Sequence, residues 1–254
     1  MELYYNIVFF IFGTIFGSFF NVVGDRLPEG KSIVYPPSHC TFCGHYLKPY
    51  ELIPLFSYLF LGGKCKECKH KLSMQYFFYE LFTGILFMLC FMVFGWSLRL
   101  LLALTFVSLL MIVIISDINY YIIPDEIIII GLILFPIEIV FIYGIKQMLF
   151  SLLYGVMSFL TMYLIKKMGD FIFKKESMGG GDIKLMALFG IVLGYPLSVV
   201  VIFFAAILGL PISLIILLHK KTHEIPFGPF LSIAAIVLFL LQINFNEIVH
   251  FITL

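Results

Sequence analysis

Residues 100–117 read Leu-Leu-Leu-Ala-Leu-Thr-Phe-Val-Ser-Leu-Leu-Met-Ile-Val-Ile-Ile-Ser-Asp. Extended back to Ser97, the run supplies the roughly 20 mostly apolar residues that a helix needs to cross a bilayer core, and it closes on an acid, Asp117. The same reading carried outward finds seven companions to span 97–116, at 4–23, 76–95, 126–143, 147–165, 183–195, 197–218 and 227–245. The stretch 183–195 is short, and it counts only if the segment after Asp182 is embedded. The fold class is therefore an all-α polytopic membrane protein with about eight transmembrane helices. Composition agrees. Of 254 residues, 62% are hydrophobic and 12% charged, against roughly 45–50% and about 25% in soluble chains. Sixteen basic and 15 acidic residues leave a net charge of +1, so no global field favours nucleic acid as a partner. The same numbers exclude disorder, a secreted disulfide scaffold and a coiled coil.

Only Met1 and Glu2 precede the first span, with no basic segment before it and no small-residue cleavage site after it. It reads as a retained helix rather than a signal peptide. Orientation follows from Lys and Arg. Segment 24–75 holds Arg26, Lys31, Lys48, Lys64, Lys66, Lys69 and Lys71; stretch 166–184 holds Lys166, Lys167, Lys174, Lys175 and Lys184; Lys220 and Lys221 follow. Eight spans put all of these on one side, the cytoplasm, and leave Arg99 and Lys146 on the other. Three regions result: a first transmembrane helix at 1–23, a polar insert at 24–75, and a helical bundle at 76–254.

The insert is too small for a core of its own, and small domains of this size need a staple. It carries Cys40-Thr-Phe-Cys43 and Cys65-Lys-Glu-Cys68, with 21 residues between the pairs. Two C-x-x-C knuckles at such a separation supply four thiolates for a tetrahedral zinc site. Gly44 behind the first knuckle suits a sharp turn. Two disulfides or four free thiols are the alternatives, and disulfides fit poorly with a cytoplasmic insert. Four sulfurs already complete a tetrahedron, so His39, His45 and His70 read as surface or supporting residues. Cys90, in an apolar run, reads as a buried small hydrophobe.

An ionisable residue in or beside a span is costly and usually has a task. The candidates are Glu80, Asp117, Asp125, Glu126, Glu138 and Asp182. Asp117 is followed by Ile118-Asn-Tyr-Tyr-Ile-Ile-Pro-Asp125. Pro124 is at home near a helix start, and Asp125 and Glu126 suit the positive end of that helix's dipole. Asp117 has no such excuse, because a helix C-terminus opposes an anion. Asp182 closes Met178-Gly-Gly-Gly-Asp. Gly179, Gly180 and Gly181 leave a backbone free of side chains, open to positive φ and to close approach by another chain. Lys184 lies between Ile183 and Leu185, which excludes a P-loop, and the dinucleotide fingerprint also fails. By the span count both aspartates lie at the same face. Two carboxyl groups held close share one proton and titrate as a unit, which is the aspartic-protease arrangement. A proton- or ion-coupled transporter using the same acids is the rival reading.

At this point the chain resembles the bacterial type IV prepilin peptidase family. Gly17-Ser-Phe-Phe-Asn-Val-Val with Arg26-Leu-Pro28 is similar to its N-terminal signature. The cysteine knuckles sit where bacterial members carry theirs. Asp117 with the later Ile-Pro-Asp, and Gly179–Asp182, match the paired aspartate motifs of the Gly-x-Gly-Asp class, 65 positions apart. Ile225-Pro-Phe-Gly-Pro-Phe230 matches a further segment. The resemblance implies an eight-helix aspartyl endopeptidase of the inner membrane, cutting prepilins and pseudopilins at the cytoplasmic face after a short basic leader ending in Gly. It also implies methylation of the new N-terminus with S-adenosylmethionine, in the service of type IV pili, type II secretion or DNA uptake. Asp117 and Asp182 take the catalytic positions. Asp125 is not carried over. Asn21, Arg26, Glu51 and Glu67 are explained as well by capping and solvation, so no methyltransferase residue is assigned. The Tyr-Asp and Pro-Ala-Leu motifs of presenilin-like enzymes are absent, since Ser116 precedes Asp117. A transporter's internal repeats are not seen. A zinc-anchored assembly factor would make the two aspartates accidental.

Overall fold

The computed structural model describes residues 1–219 and 225–243. Lys220, Lys221 and the end of the eighth predicted span lie outside the described residues. Among the described residues the chain is nearly all helical: α1 (Glu2–Arg26), α2 (Phe56–Phe60), α3 (Met74–Phe94), α4 (Leu98–Tyr120), α5 (Asp125–Tyr143), α6 (Ile145–Phe173), α7 (Gly180–Leu193), α8 (Tyr195–His219) and α9 (Gly228–Leu240). One 3-10 turn, Pro49–Leu52, precedes α2. Among the described residues six helices, α1, α3, α4, α5, α6 and α8, have the length and apolarity to cross a membrane. The predicted spans 183–195 and 227–245 correspond to α7 and α9, of 14 and 13 residues. At 1.5 Å per residue these reach only about 20 Å, short of a bilayer core of about 30 Å.

The chain forms two compact units, Met1–Asn119 and Tyr120–Leu254. In the first, α1 lies against α3 through small residues. A Cβ on Gly13 would meet the Thr83 carbonyl at 2.6 Å, one on Gly17 the Glu80 Cα at 2.9 Å, and one on Gly84 the Thr14 Cγ2 at 2.7 Å. Gly13 and Gly17 form the small-xxx-small spacing that lets membrane helices approach closely, where lipid provides no hydrophobic drive for pairing. Phe9 stacks on Phe91 at 4.5 Å and extends the seam. Helix α4 is the most enclosed, with 67% of its most apolar stretch buried. Gly24 fits beneath Ile115.

In the second unit, glycines with φ of +86° and +84°, Gly144 and Gly194, end α5 and α7 and turn the chain directly into α6 and α8. Helix α6 packs on α7 where Gly155 admits Ile191, and Gly131 of α5 admits Leu188 of α7. Ser158 and Ser198 hydrogen-bond at 2.6 Å between α6 and α8. Phe230 of α9 covers Gly209 of α8.

Candidate active-site acids and metal centre

Four sulfurs meet in the insert. The Sγ atoms of Cys40, Cys43, Cys65 and Cys68 all lie within 4.8 Å of one another. The Cys40–Cys68 and Cys43–Cys65 separations are both 3.9 Å. A disulfide needs about 2.05 Å, whereas four thiolates bonded at about 2.3 Å to one tetrahedral ion stand about 3.8 Å apart. The donor set therefore fits a thiophilic metal and not two disulfides. Each knuckle is the same turn built twice. Cys40 N–H donates to the His45 carbonyl and Cys65 N–H to the His70 carbonyl, both at 2.9 Å. The residue after the second cysteine takes a left-handed φ in each case: Gly44 at +72° and Lys69 at +58°.

The three histidines have other partners. His39 Nδ1 is 2.9 Å from the Pro37 carbonyl, and His70 stacks on Phe42. His45 Nε2 is 3.1 Å from Oε2 of buried Glu51. That oxygen also accepts the Lys48 N–H at 2.7 Å, and this bond, with His45 beside it, holds the Glu51 carboxyl below its usual range. Backbone N–H groups of Cys43 and Phe42 pull the Cys40 thiol down to about 6. At Cys68 the His70 N–H acts in the same direction, but desolvation and the neighbouring sulfurs outweigh it and push the thiol up to about 11. Four negative sulfurs repel one another, and a cation removes the conflict.

Asp117 lies in the last turn of α4 and is 6% exposed. Two residues on, Asn119 Nδ2 donates to Oδ1 of Asp25 at 2.8 Å. Tyr76 Oη donates to the other oxygen of Asp25 at 3.3 Å. Asn21, one turn before Asp25, donates to the Tyr76 carbonyl at 3.4 Å. The ends of α1, α3 and α4 are thus joined by one polar cluster, and Gly24 brings α1 against Ile115 just ahead of Asp117.

Asp182 is the third residue of α7 and 7% exposed. Gly179 caps the helix with φ −65°, and Gly180 and Gly181 are already helical. The left-handed φ that glycine leaves open is used at none of the three. What the glycines provide is space. A Cβ at 181 would stand 2.9 Å from the Cβ of Ile123, whereas one at 180 would meet nothing within 4 Å. Lys184 Nζ donates to Asp125 Oδ1 at 2.6 Å, tying the start of α7 to the start of α5. Both ends of that pair are substantially exposed, so it contributes at most about 1 kcal/mol. Asp170 accepts from the Ser177 N–H and Oγ at 2.7 and 2.8 Å, which closes the loop ahead of the glycines.

Asp117 belongs to the first unit and Asp182 to the second. Sequence reasoning overlooked Asp25, Asn119, Ile123 and Lys184. Asn119, Ile123 and Lys184 carried one local signal, nearness in the chain to the two aspartates, and Asp25 did not carry even that. Glu80, unexplained by sequence, accepts the Leu55 N–H at 2.8 Å. Glu138 is buried in α5.

Residues 11–94 match the bacterial peptidase A24 N-terminal domain, and residues 104–214 match the type IV leader peptidase family. A prepilin leader peptidase/N-methyltransferase of Bacillus subtilis is 37% identical over 236 residues, covering 92% of this chain and 93% of the relative. One from Myxococcus xanthus is 36% identical over 79% of this chain and 59% of its own. One from Pseudomonas aeruginosa is 31% identical, with coverage of 88% and 86%. No solved structure matches the chain.

Proposed function

Because the chain belongs to the type IV leader peptidase family, we propose that it is a membrane aspartyl endopeptidase that removes leader peptides from prepilins and pseudopilins and then methylates the new N-terminus. Asp117 and Asp182 are its catalytic carboxylates. The observation that carries this reading is the burial of both acids at helix ends, at the two positions matching the family's aspartate motifs. The membrane served is the inner membrane, with the insert and both acids on the cytoplasmic side.

The chemistry requires two carboxylates that share one proton at the scissile bond. The ionised one takes a proton from water as the water oxygen attacks the peptide carbonyl carbon; the protonated one donates to the carbonyl oxygen. The C–N bond then breaks, and the departing amine takes the transferred proton. Asp182 stands in the first turn of α7 and Asp117 in the last turn of α4; one proton is shared, so the base and acid roles belong to the pair. Exposed Gly180, with open space above it, offers room for a substrate backbone.

Zinc suits the four cysteines and would join the two knuckles into one unit; its role is structural. S-adenosylmethionine, when bound, supplies the electrophilic methyl group for the new amine. The test is incubation of the purified protein with a prepilin peptide, with and without S-adenosylmethionine, followed by mass measurement. Leader loss in both samples, with one added methyl group only when the donor is present, supports the reading. An intact peptide in both samples refutes it.

A further inference from the structure

The insert exposes apolar surface that neither its metal knuckles nor the membrane helices cover. Ile53 is 49% exposed, Phe56 59%, Leu59 62% and Phe60 85%. Phe56, Leu59 and Phe60 stand at i, i+3 and i+4 of α2, so they share one face. The Phe56 and Phe60 rings stack at 6.3 Å. They border a groove of about 350 Å³ lined also by Tyr50, Ile53, Ser57 and Leu61. The opposite side of α2 is occupied. Tyr58 packs on Phe77 of α3 at 5.6 Å and donates to the Leu72 carbonyl.

The level of this face is set by two fixed points. Leu55, at φ +62°, gives its N–H to Glu80 at 2.8 Å. Glu80 lies six residues into α3, about 9 Å along the helix axis. The whole of α3, with 21 residues, is about 31 Å long, which nearly equals a bilayer core of about 30 Å. With α3 crossing the core end to end, an element fastened near Glu80 therefore sits about 9 Å below the boundary between headgroups and acyl chains. Interfacial helices bury their apolar face by about 5–10 Å at that boundary. Charge points the same way. Segment 24–75 carries seven Lys and Arg against four Asp and Glu. Lys66 stands at the groove's rim, its Nζ 2.6 Å from the Tyr50 hydroxyl. Basic residues beside an apolar face suit anionic headgroups.

We infer that α2 and Ile53 form an interfacial anchor that lays the insert on the anionic lipid surface of the leaflet on its own side. Glu80 is the tether that holds this anchor at depth, which gives a buried acid in a membrane helix a task outside any proton transfer. The inference is independent of the proposed peptidase activity.

The full-length protein tests it. Its single tryptophan, Trp96, is replaced by Trp96→Phe, and Phe60→Trp places an indole on the α2 face. Phe56→Trp in the same background is the second variant. Each is reconstituted into phosphatidylcholine vesicles with and without phosphatidylglycerol, with the acyl chains either plain or brominated. The expected result is quenching of the indole by brominated chains by roughly twofold or more, and protection from acrylamide relative to the unfolded protein, as for a side chain at the acyl boundary. Phosphatidylglycerol strengthens both effects. Full access to acrylamide with no quenching by brominated lipid overturns the inference. So does protection from both quenchers, which would mean that a protein surface, such as a second copy or a bound prepilin, covers the groove.

Discussion

Gly181→Ala should damage the site from beneath. A Cβ added at 181 would lie 2.9 Å from the Cβ and 3.2 Å from the Cγ1 of Ile123. Carbon atoms rest comfortably at about 3.5–4.0 Å, and an Ile Cβ cannot rotate out of the way. Either the start of α7 or the segment ahead of Pro124 must shift, and with it Asp182, the next residue. Overpacking of this kind costs about 1–3 kcal/mol, offset by the better helix propensity of Ala, close to 1 kcal/mol over Gly. At a Cβ–Cβ distance of 2.9 Å the cost lies toward the upper end of that range, and a net loss of about 1–2 kcal/mol lowers the melting temperature by roughly 2–8 °C in a chain of this size. Gly180→Ala is the control, since nothing lies within 4 Å of its added carbon. It should melt at or above the wild-type temperature, and any loss of activity there reports on substrate approach rather than folding. The assay pairs calorimetry with kcat/KM on a prepilin peptide. Ile123→Gly removes the Cβ that the new methyl meets, so combining it with Gly181→Ala should cost clearly less than the sum of the two changes made alone. A Gly181→Ala protein that melts and cleaves like the wild type, or a Gly181→Ala, Ile123→Gly double variant whose cost is simply additive, would refute the packing argument.

Lys69→Gly should stabilise the insert, because a left-handed φ of +58° costs a non-glycine residue about 1–2 kcal/mol while added glycine freedom returns about 0.5–1 kcal/mol of that; chelator titration should show metal retained to a higher chelator concentration, and easier stripping would contradict it. Removing metal, or Cys40→Ser, should open Lys64, Lys66, Lys69 and Lys71 to trypsin in an otherwise intact chain; an unchanged digest, or no metal in the purified protein, counts against a metal-held insert. Asn119→Asp sets two carboxylates face to face at the Asp25 contact and should lower both stability, by about 1–2 kcal/mol, and kcat. The reciprocal pair Asp25→Asn with Asn119→Asp restores a donor and an acceptor and should recover both, and a double variant no better than the single would dismiss the brace.

The cysteine site was legible because its determinants are local. A Cys-x-x-Cys spacing specifies each knuckle; a turn glycine follows only the first, and Lys69 makes the same turn in the second. The apolar helices were legible from run length alone. The start of α7 was not. Gly180 and Gly181 rank poorly as helix formers, yet they form its first turn, because close packing against Ile123 at 181 tolerates no side chain there. Their freedom to take positive φ is not used. Hydropathy also says nothing about which azimuth of a helix meets which neighbour, so the Asp25–Asn119, Asp125–Lys184 and Glu80–Leu55 contacts could not be read beforehand. Gly13 and Gly17 carried a local signal for close helix pairing, but not its partner Gly84 on α3.

The central claim is that Asp117 and Asp182 together cut the peptide bond. Asp117→Asn and Asp182→Asn keep side-chain size and remove the ionisable group, and each variant can be given both an intact prepilin peptide and a peptide already trimmed to the mature N-terminus. Both variants should leave the first uncut while still methylating the second, which shows that the protein remains folded. Normal cleavage by either one would contradict the assignment outright.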